Sequence, residues 1–359
     1  MAMMPPPMVP QPMPPTHAPT PSPLGPPTSQ EKTPPKSVID TAHADMVHDA
    51  QLDFYGRRLA TCSSDRTIKI FHVDRNGAHR PEATLEGHTG PVWQVAWAHP
   101  TRHGRPMLAS ASHDGRVIVW IEDAPGMWRN FYEYAWHASS VNSVAFAPHE
   151  YGLIFACASS DGFVSICSQL QDGTWDERRV SESRDGGAHT HPLGANSVAW
   201  GPAITPGGLW MPERATPPPM RIVTAGCDHL IKIWKFDNDA NNWLLDGEPL
   251  KGHREMVRCV SWAPNVGLPR SIIASAGQDK KVILWNQELE SDTSKAEWTK
   301  TELPAFAGPV WSVSWSPTGS VLGVAYGDDK VTLWKQELDG SWKNVTDVTA
   351  EGTAVPESS

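Results

Sequence analysis

A histidine, a hydroxyl residue and an aspartate recur together along this 359-residue chain. The sets are His88, Ser110 and Asp114; His191, Thr224 and Asp228; and His253, Ser275 and Asp279. A hydroxyl beside a His–Asp pair is the composition of a nucleophilic triad, in which the imidazole takes the hydroxyl proton. Recurrence argues against that chemistry. A reaction needs one such site, whereas this set returns in several units, each inside a strand pattern rather than at a cleft. His189 and His191 could be two metal ligands, but no third ligand follows at a suitable spacing. No Gly-x-x-x-x-Gly-Lys or Gly-x-Gly-x-x-Gly loop is present for phosphates, and Asn344-Val-Thr346 matches only a glycosylation acceptor pattern. The expectation is a protein with no enzymatic activity, no catalytic residues, no metal and no cofactor.

A repeat positions these residues. Each aspartate opens a tight turn into a strand: Asp65 to Phe71, Asp114 to Trp120, Asp161 to Cys167, Asp228 to Trp234, Asp279 to Trp285 and Asp328 to Trp334. Apolar residues three and five places on mark a half-buried strand. The aspartates lie 49, 47, 67, 51 and 49 residues apart. Upstream runs a second strand: Val92–Trp97, Val141–Phe146, Asn196–Trp200, Val257–Trp262 and Val310–Trp315. His88, His137, His191 and His253 each stand nine residues before the aromatic that ends it, and His43 keeps that distance from Leu52. Between the two comes a third strand, such as Leu108–Ser112. Four residues before the turn aspartate it places a small residue: Thr61, Ser110, Cys157, Thr224 or Ser275. A fourth strand is entered through Trp128, Trp175, Trp243, Trp298 or Trp342. Four antiparallel strands per ~45 residues is the arithmetic of a β-propeller blade, so the chain is predicted to be all-β with six blades. The Pro-rich residues 202–220 cannot donate ladder hydrogen bonds and are predicted to be a surface loop in the fourth unit. Residues 176–188, charged and ending in glycines, read as another loop.

Composition sets the boundaries. Fourteen of the 34 prolines fall in residues 1–36, too many for a packed core, so this stretch is predicted to be a disordered extension. The propeller is expected over 37–347 and a flexible tail over 348–359. All 17 tryptophans lie outside the extension, mostly in the repeat. No apolar run approaches the ~20 residues that span a bilayer. The N-terminal stretch lacks the charged-then-apolar pattern of a signal peptide. Cys62, Cys157, Cys167, Cys227 and Cys259 form an odd set without Cys-x-x-Cys, which suits a reduced, cytosolic chain. Outside the extension Lys+Arg number 28 and Asp+Glu 39, a balance of −11 that disfavours direct nucleic-acid or anionic-membrane binding.

The units resemble WD-repeat propeller blades, in which Asp, His, hydroxyl and terminal Trp form a structural tetrad. By that resemblance His88/Ser110/Asp114/Trp120, His191/Thr224/Asp228/Trp234 and His253/Ser275/Asp279/Trp285 are complete tetrads. Blade one ends in Phe71, blade three carries Cys157 and Cys167, and blade six has Phe306 and Val324 in the His and hydroxyl places. The ends do not add up to a closed ring. After Trp334, the segment Trp342–Thr349 supplies blade six with its own fourth strand. Yet Ser37, Val38, Ile39, Asp40 and Thr41 precede His43 as an outer strand would, leaving one strand over. Either it packs loosely or it belongs to a seventh blade whose other strands come from elsewhere.

Three blocks are specific to one family: His48 to Arg66, Gly87 to Pro100 and Ser139 to Cys157. Ala225 to Trp234 and Gly327 to Lys335 fit it too. They resemble the Sec-thirteen family, small WD-repeat propellers of the COPII vesicle coat and the Y-shaped nuclear pore subcomplex, over roughly 37–347. The resemblance implies an open six-bladed propeller whose seventh blade is completed in trans. The implied partners are the α-solenoid coat subunit of COPII, the equivalent nucleoporin, and an amino-acid-signalling complex. Membrane contact would be peripheral, at ER exit sites and COPII vesicles. The expected partner-blade interface is strand 37–41 with two blade edges: Arg58, Leu59, Ala60, Thr61 and Cys62, and Val310, Trp311, Ser312, Val313, Ser314 and Trp315. The alternative is a ubiquitin-ligase or signalling adaptor, which often carries Trp-Asp-x-Arg; no strand here ends that way. Neither the extension nor the 202–220 insert inherits a role.

Overall fold

The computed structural model describes residues 38–100, 104–183, 187–204, 218–265, 270–288, 297–328, 330–337, 339–349 and 354–355. Residues 1–36, Ser37 and 205–217 of the insert therefore lie outside the described residues. Blade one contains β1 (Val47–Leu52), β2 (Arg58–Ser63), β3 (Ile68–Val73) and β4 (His79–Leu85); blade two contains β5 (Val92–Trp97), β6 (Met107–Ser112), β7 (Val117–Ala124) and β8 (Met127–Tyr134). Blade three follows with β9 (Val141–Phe146), β10 (Ile154–Ser159), β11 (Val164–Gln169) and β12 (Trp175–Val180). Blade four has β13 (Ala195–Trp200), β14 (Arg221–Gly226), β15 (Leu230–Asp237), β16 (Asn242–Leu245) and the short β17 (Leu250–Lys251). Blade five has β18 (Val257–Trp262), β19 (Arg270–Gly277), β20 (Val282–Glu288) and β21 (Thr299–Glu302). Blade six has β22 (Val310–Trp315), β23 (Val321–Tyr326), β24 (Lys330–Gln336), β25 (Trp342–Thr349) and β26 (Ala354–Val355). Each blade is a separate antiparallel sheet in sequence order.

Local chemistry explains the blade. After each of the first five turn aspartates the next residue takes a positive φ: Arg66 (71°), Gly115 (82°), Gly162 (88°), His229 (67°) and Lys280 (64°). The aspartate carboxylate accepts the N–H two residues on, as Asp114 does from Arg116 at 3.0 Å, and so stabilises the turn. Glycine is needed at 162, where a Cβ would stand 2.6 Å from the His191 carbonyl. Every inner strand breaks register one residue after its first, as between Val92 and Gln94. Such a bulge turns its own residue sideways and increases the twist.

Five buried apolar clusters hold the blades together, one at each junction of successive blades. Between blades one and two, Ala60, Cys62, Ile68 and Ile70 meet Val92, Val95, Leu108 and Ile118. The inner strands pack in the order β1, β5, β9, β13, β18, β22, without comparable packing of β22 on β1. Among the described residues, six blades with five packed junctions make an open ring.

Three expectations change. Val38–Thr41 form no strand, and Val38 is largely exposed. A strand needs a neighbour to share its ladder, and no described strand lies beside it. Residues 176–180 are not loop but most of β12, the outer strand of its sheet, whose charges are half-buried or exposed and paired, as Arg178 is with Asp176 and Arg179 with the Trp136 ring. Pairing continues past 347: β25 runs to Thr349, and β26 adds to it through Asp347–Val355 and Val348–Ala354. Blade six's outer edge is thus partly covered by the segment read as tail.

Candidate partner interface at the open ends of the ring

The His–hydroxyl–Asp sets lie inside the blades. In blade two Trp120 Nε1 donates to Ser110 Oγ (2.9 Å), Ser110 Oγ to His88 Nε2 (2.8 Å), and His88 Nδ1 to Asp114 (3.0 Å). Blade four repeats this through Trp234, Thr224, His191 and Asp228 at 3.0, 2.8 and 2.9 Å. Blade five does so through Trp285, Ser275, His253 and Asp279, each contact 2.9 Å. The indole needs an acceptor, which orients the hydroxyl proton to the imidazole and leaves the Nδ1 proton for the aspartate. Ser110, Thr224 and Ser275 have no solvent exposure, so no substrate carbonyl can reach them. Burial opposes ionisation of Asp114 and Asp161, yet the bonds from His88 and His137 outweigh it. Asp114 is held well below the ordinary carboxylate range, and Asp161 falls to about 2. Burial outweighs the bonds to Asp228 and Asp279 and lowers His191 and His253 below the ordinary imidazole range. The sets are braces.

The variants are graded. Blade one keeps His43 to Asp65 (2.8 Å) and to Thr61 (2.9 Å), but Phe71 has no indole to donate. Blade three places the Cys157 thiol 3.4 Å from His137 Nε2. Blade six has neither His nor hydroxyl in the usual places; there Trp334 Nε1 donates to Thr332 Oγ1, two residues back in the same strand, at 3.0 Å. His189 stacks on Phe163, with centroids 4.4 Å apart, rather than joining His191 at a shared ligand position.

The unusual surfaces are the two blade faces that have no neighbour. Val92, Val141, Ala195, Val257 and Val310 open their inner strands and are fully buried, whereas the corresponding Val47 is 40% exposed. Leu52, at the place of Trp97 and Trp200, is 56% exposed. On blade six, Val331 and Leu333 correspond to Val117 and Val119 of blade two, which are completely buried; Val331 is 39% exposed and Leu333 half-buried. Gly323 and Ala325, at the places of the buried Ala109 and Ala111, are also half-buried. Ser312 and Ser314 face out beside them, while Ser143 and Ser197, at Ser312's place, are buried. Residue types that form a junction elsewhere form an uncovered apolar face here.

The expected edge residues divide by the two-residue period of a strand. Val310 and Val313 turn into the blade-five core, and Trp315 Nε1 donates to the Ser261 carbonyl of blade five (3.2 Å). Only Ser312 and Ser314 face the open side; Trp311, the bulge residue, is half-exposed but lies against Arg258 of blade five, 4.5 Å from its guanidinium, and donates to the Gly327 carbonyl. On β2, Ala60 and Cys62 belong to the core shared with blade two, and the Arg58 guanidinium ion-pairs with Glu82 (2.6 Å) and with Glu122 of blade two (2.7 Å). Burial opposes the charge of Arg58, but the bonds to these carboxylates outweigh it and hold it firmly charged. Arg58, Ala60 and Cys62 therefore bind blade two, and Leu59 and Thr61 point to the other face. Reading each strand as a whole counted both faces as one edge.

Repeated four-stranded blades, turn aspartates and buried Asp–His–hydroxyl–Trp braces define a WD-repeat propeller, here with its ring left open. The sequence profile of the WD domain, G-beta repeat, matches residues 35–72, 79–120, 128–168, 247–286 and 299–335. Most of the fourth unit, split by the 202–220 insert, lies outside these stretches. The chain is 48% identical over 321 residues to the "Protein SEC13 homolog" of Drosophila melanogaster, covering 88% of this chain and 84% of that one. It is 42% identical over 357 residues to the "Protein transport protein SEC13" of Mycosarcoma maydis, covering 86% and 94%. With the protein of that same name from Cryptococcus neoformans var. neoformans it shares 43% identity over 337 residues, covering 87% and 97%. The chain belongs to the SEC13 family of WD-repeat propellers.

Proposed function

We propose that this chain is a non-enzymatic scaffold subunit of the COPII vesicle coat, acting in ER-to-Golgi transport, and of the nuclear pore Y-shaped subcomplex. In both it accepts a β-blade from an α-solenoid partner, the coat subunit in one and the equivalent nucleoporin in the other. It would work at ER exit sites, on COPII vesicles and at the nuclear pore, reaching the membrane only through the coat. The observation that carries the reading is the uncovered face of blade six, where Val331 stands 39% exposed at a position fully buried in blade two. An inserted blade would bury that face and the exposed Val47 and Leu52 of blade one together. Residues 37–41, placed before blade one, would then gain a ladder partner and serve as the outer strand of a composite blade. A closed ring resists bending where a solenoid alone would hinge.

Co-expression with the partner's blade segment tests this. The segment should co-purify and raise both solubility and Tm. A chain equally stable alone that fails to retain the segment would refute the proposal.

A further inference from the structure

The first five blades are joined by a polar relay that runs in one direction. The third residue of each of the first four inner strands offers a side-chain acceptor to a backbone N–H of the next blade. Asp49 Oδ2 accepts from Val95 N (3.2 Å), Gln94 Oε1 from Val144 N (2.8 Å), Ser143 Oγ from Val198 N (3.2 Å) and Ser197 Oγ from Val260 N (3.1 Å). At the fifth junction the direction reverses, and the Cys259 thiol donates to the Val313 carbonyl (3.8 Å). A second relay lies two residues further on. Trp97 Nε1 donates back to Gln51 O (2.9 Å), Trp200 to Ala145 O (2.9 Å) and Trp315 to Ser261 O (3.2 Å).

At the open side both relays stop, and among the described residues no following blade donates to their accepting groups, although the Ser312 hydroxyl also lies within hydrogen-bonding reach of Cys259 and Ser314 pairs with Gly323 in its own sheet. Ser312 stands in the series Asp49, Gln94, Ser143, Ser197, Cys259, and is exposed. Ser314 holds the carbonyl place of Gln51, Ala145 and Ser261, and is also exposed. The other open side is already satisfied. Ala50, which matches Val95, gives its N–H to Asp49 Oδ1 within its own strand (2.9 Å). Asp49 is the one carboxylate in the series, and its two oxygens serve Ala50 and Val95 at once.

We propose that Ser312 and Ser314 set the register of the incoming blade. Ser312 Oγ accepts one inner-strand peptide N–H, and the Ser314 carbonyl accepts an indole N–H two residues further on. The occupant is a partner strand reading apolar-x-x-apolar-x-Trp, the pattern of Val92–Trp97, with its second apolar residue over Ser312. The blade-one side demands no polar acceptor from it, because Asp49 already caps Ala50. This rests on the inserted-blade reading above.

The test uses the full chain and the blade segment of the α-solenoid partner, titrated calorimetrically. Ser312→Thr keeps the acceptor and Ser312→Val, of the same shape, removes it. The Thr variant should bind within about twofold of the parent and the Val variant about five- to tenfold more weakly. Both should melt with the parent when unbound, since the residue is exposed there. Equal affinities for the two variants would overturn the register proposal and leave blade insertion standing. A segment that fails to bind the unaltered chain would overturn both.

Discussion

Blade two and blade six share a plan of four successive strands, to which blade six adds β26, and have opposite internal chemistry. In blade two Trp120, Ser110, His88 and Asp114 form an unbroken hydrogen-bonded chain, and both faces of the sheet are covered. In blade six Val324 and Phe306 replace the hydroxyl and the histidine. Phe306 packs against Trp334 at 5.8 Å and Tyr326 at 4.9 Å between ring centroids, and one face is bare. A buried polar brace must offset the desolvation of every group in it, so an apolar filling of similar volume is an equally good solution. The three complete braces lie in blades enclosed on both sides, whereas blade one, open on one side, keeps only its His43, Thr61 and Asp65 members. Blade six, open on its other side, is held by aromatic packing instead.

The largest test of this contrast is Trp120→Ala. It removes a buried indole and leaves Ser110 short of a donor, and should cost about 3–5 kcal/mol in denaturant unfolding. Next, Asp114→Ala should cost about 1–3 kcal/mol, because His88 and the Thr89 N–H both lose a charged acceptor. The same change at the exposed Asp328 of blade six should stay within about 0.5 kcal/mol. A comparable loss at both positions would break the contrast.

Arg58→Ala sharpens which side is open. It should lower stability by about 1–2 kcal/mol through the lost links to Glu82 and Glu122, with partner affinity unchanged within about twofold. A selective loss of affinity would return Arg58 to the partner interface. Thr332→Val should cost about 1 kcal/mol by stranding the Trp334 indole N–H. Finally, the pH dependence should follow the braces. Asp161 falls from an ordinary 3.8 to about 2, so the unfolded chain binds its proton first on acidification. Its contribution is complete above about pH 4 and disappears as pH falls through 2. Acid unfolding curves should therefore be shallower for Asp161→Asn than for the parent.

Much of the frame is legible in the residues. Asp-to-Asp spacing, strand alternation and the nine-residue interval to the aromatic are local quantities, and they locate all six blades and every member of the three complete braces. Among the described residues the loop expected over 176–188 departs from the structure only at 176–180, because charged residues can form an outer strand when their side chains are paired or half-exposed, as in β12. Strand 37–41 has strand-like residues but no ladder partner among the described ones. The Thr332–Trp334 contact left a faint signal, a hydroxyl two places before the terminal Trp. The relay left a clearer one, a polar or thiol residue at the third place of every inner strand, Asp49 through Ser312.

What the sequence alone determines is how many blades there are and how each is built, because turn geometry and a two-residue period act between neighbours in the chain. Which face of each strand is covered was decided only in three dimensions. Alternation separates two faces but does not say which neighbour lies against each. It took the packed ring to turn Arg58, Ala60 and Cys62 toward blade two, and to leave Ser312, Ser314 and Val331 facing the place where a blade is missing.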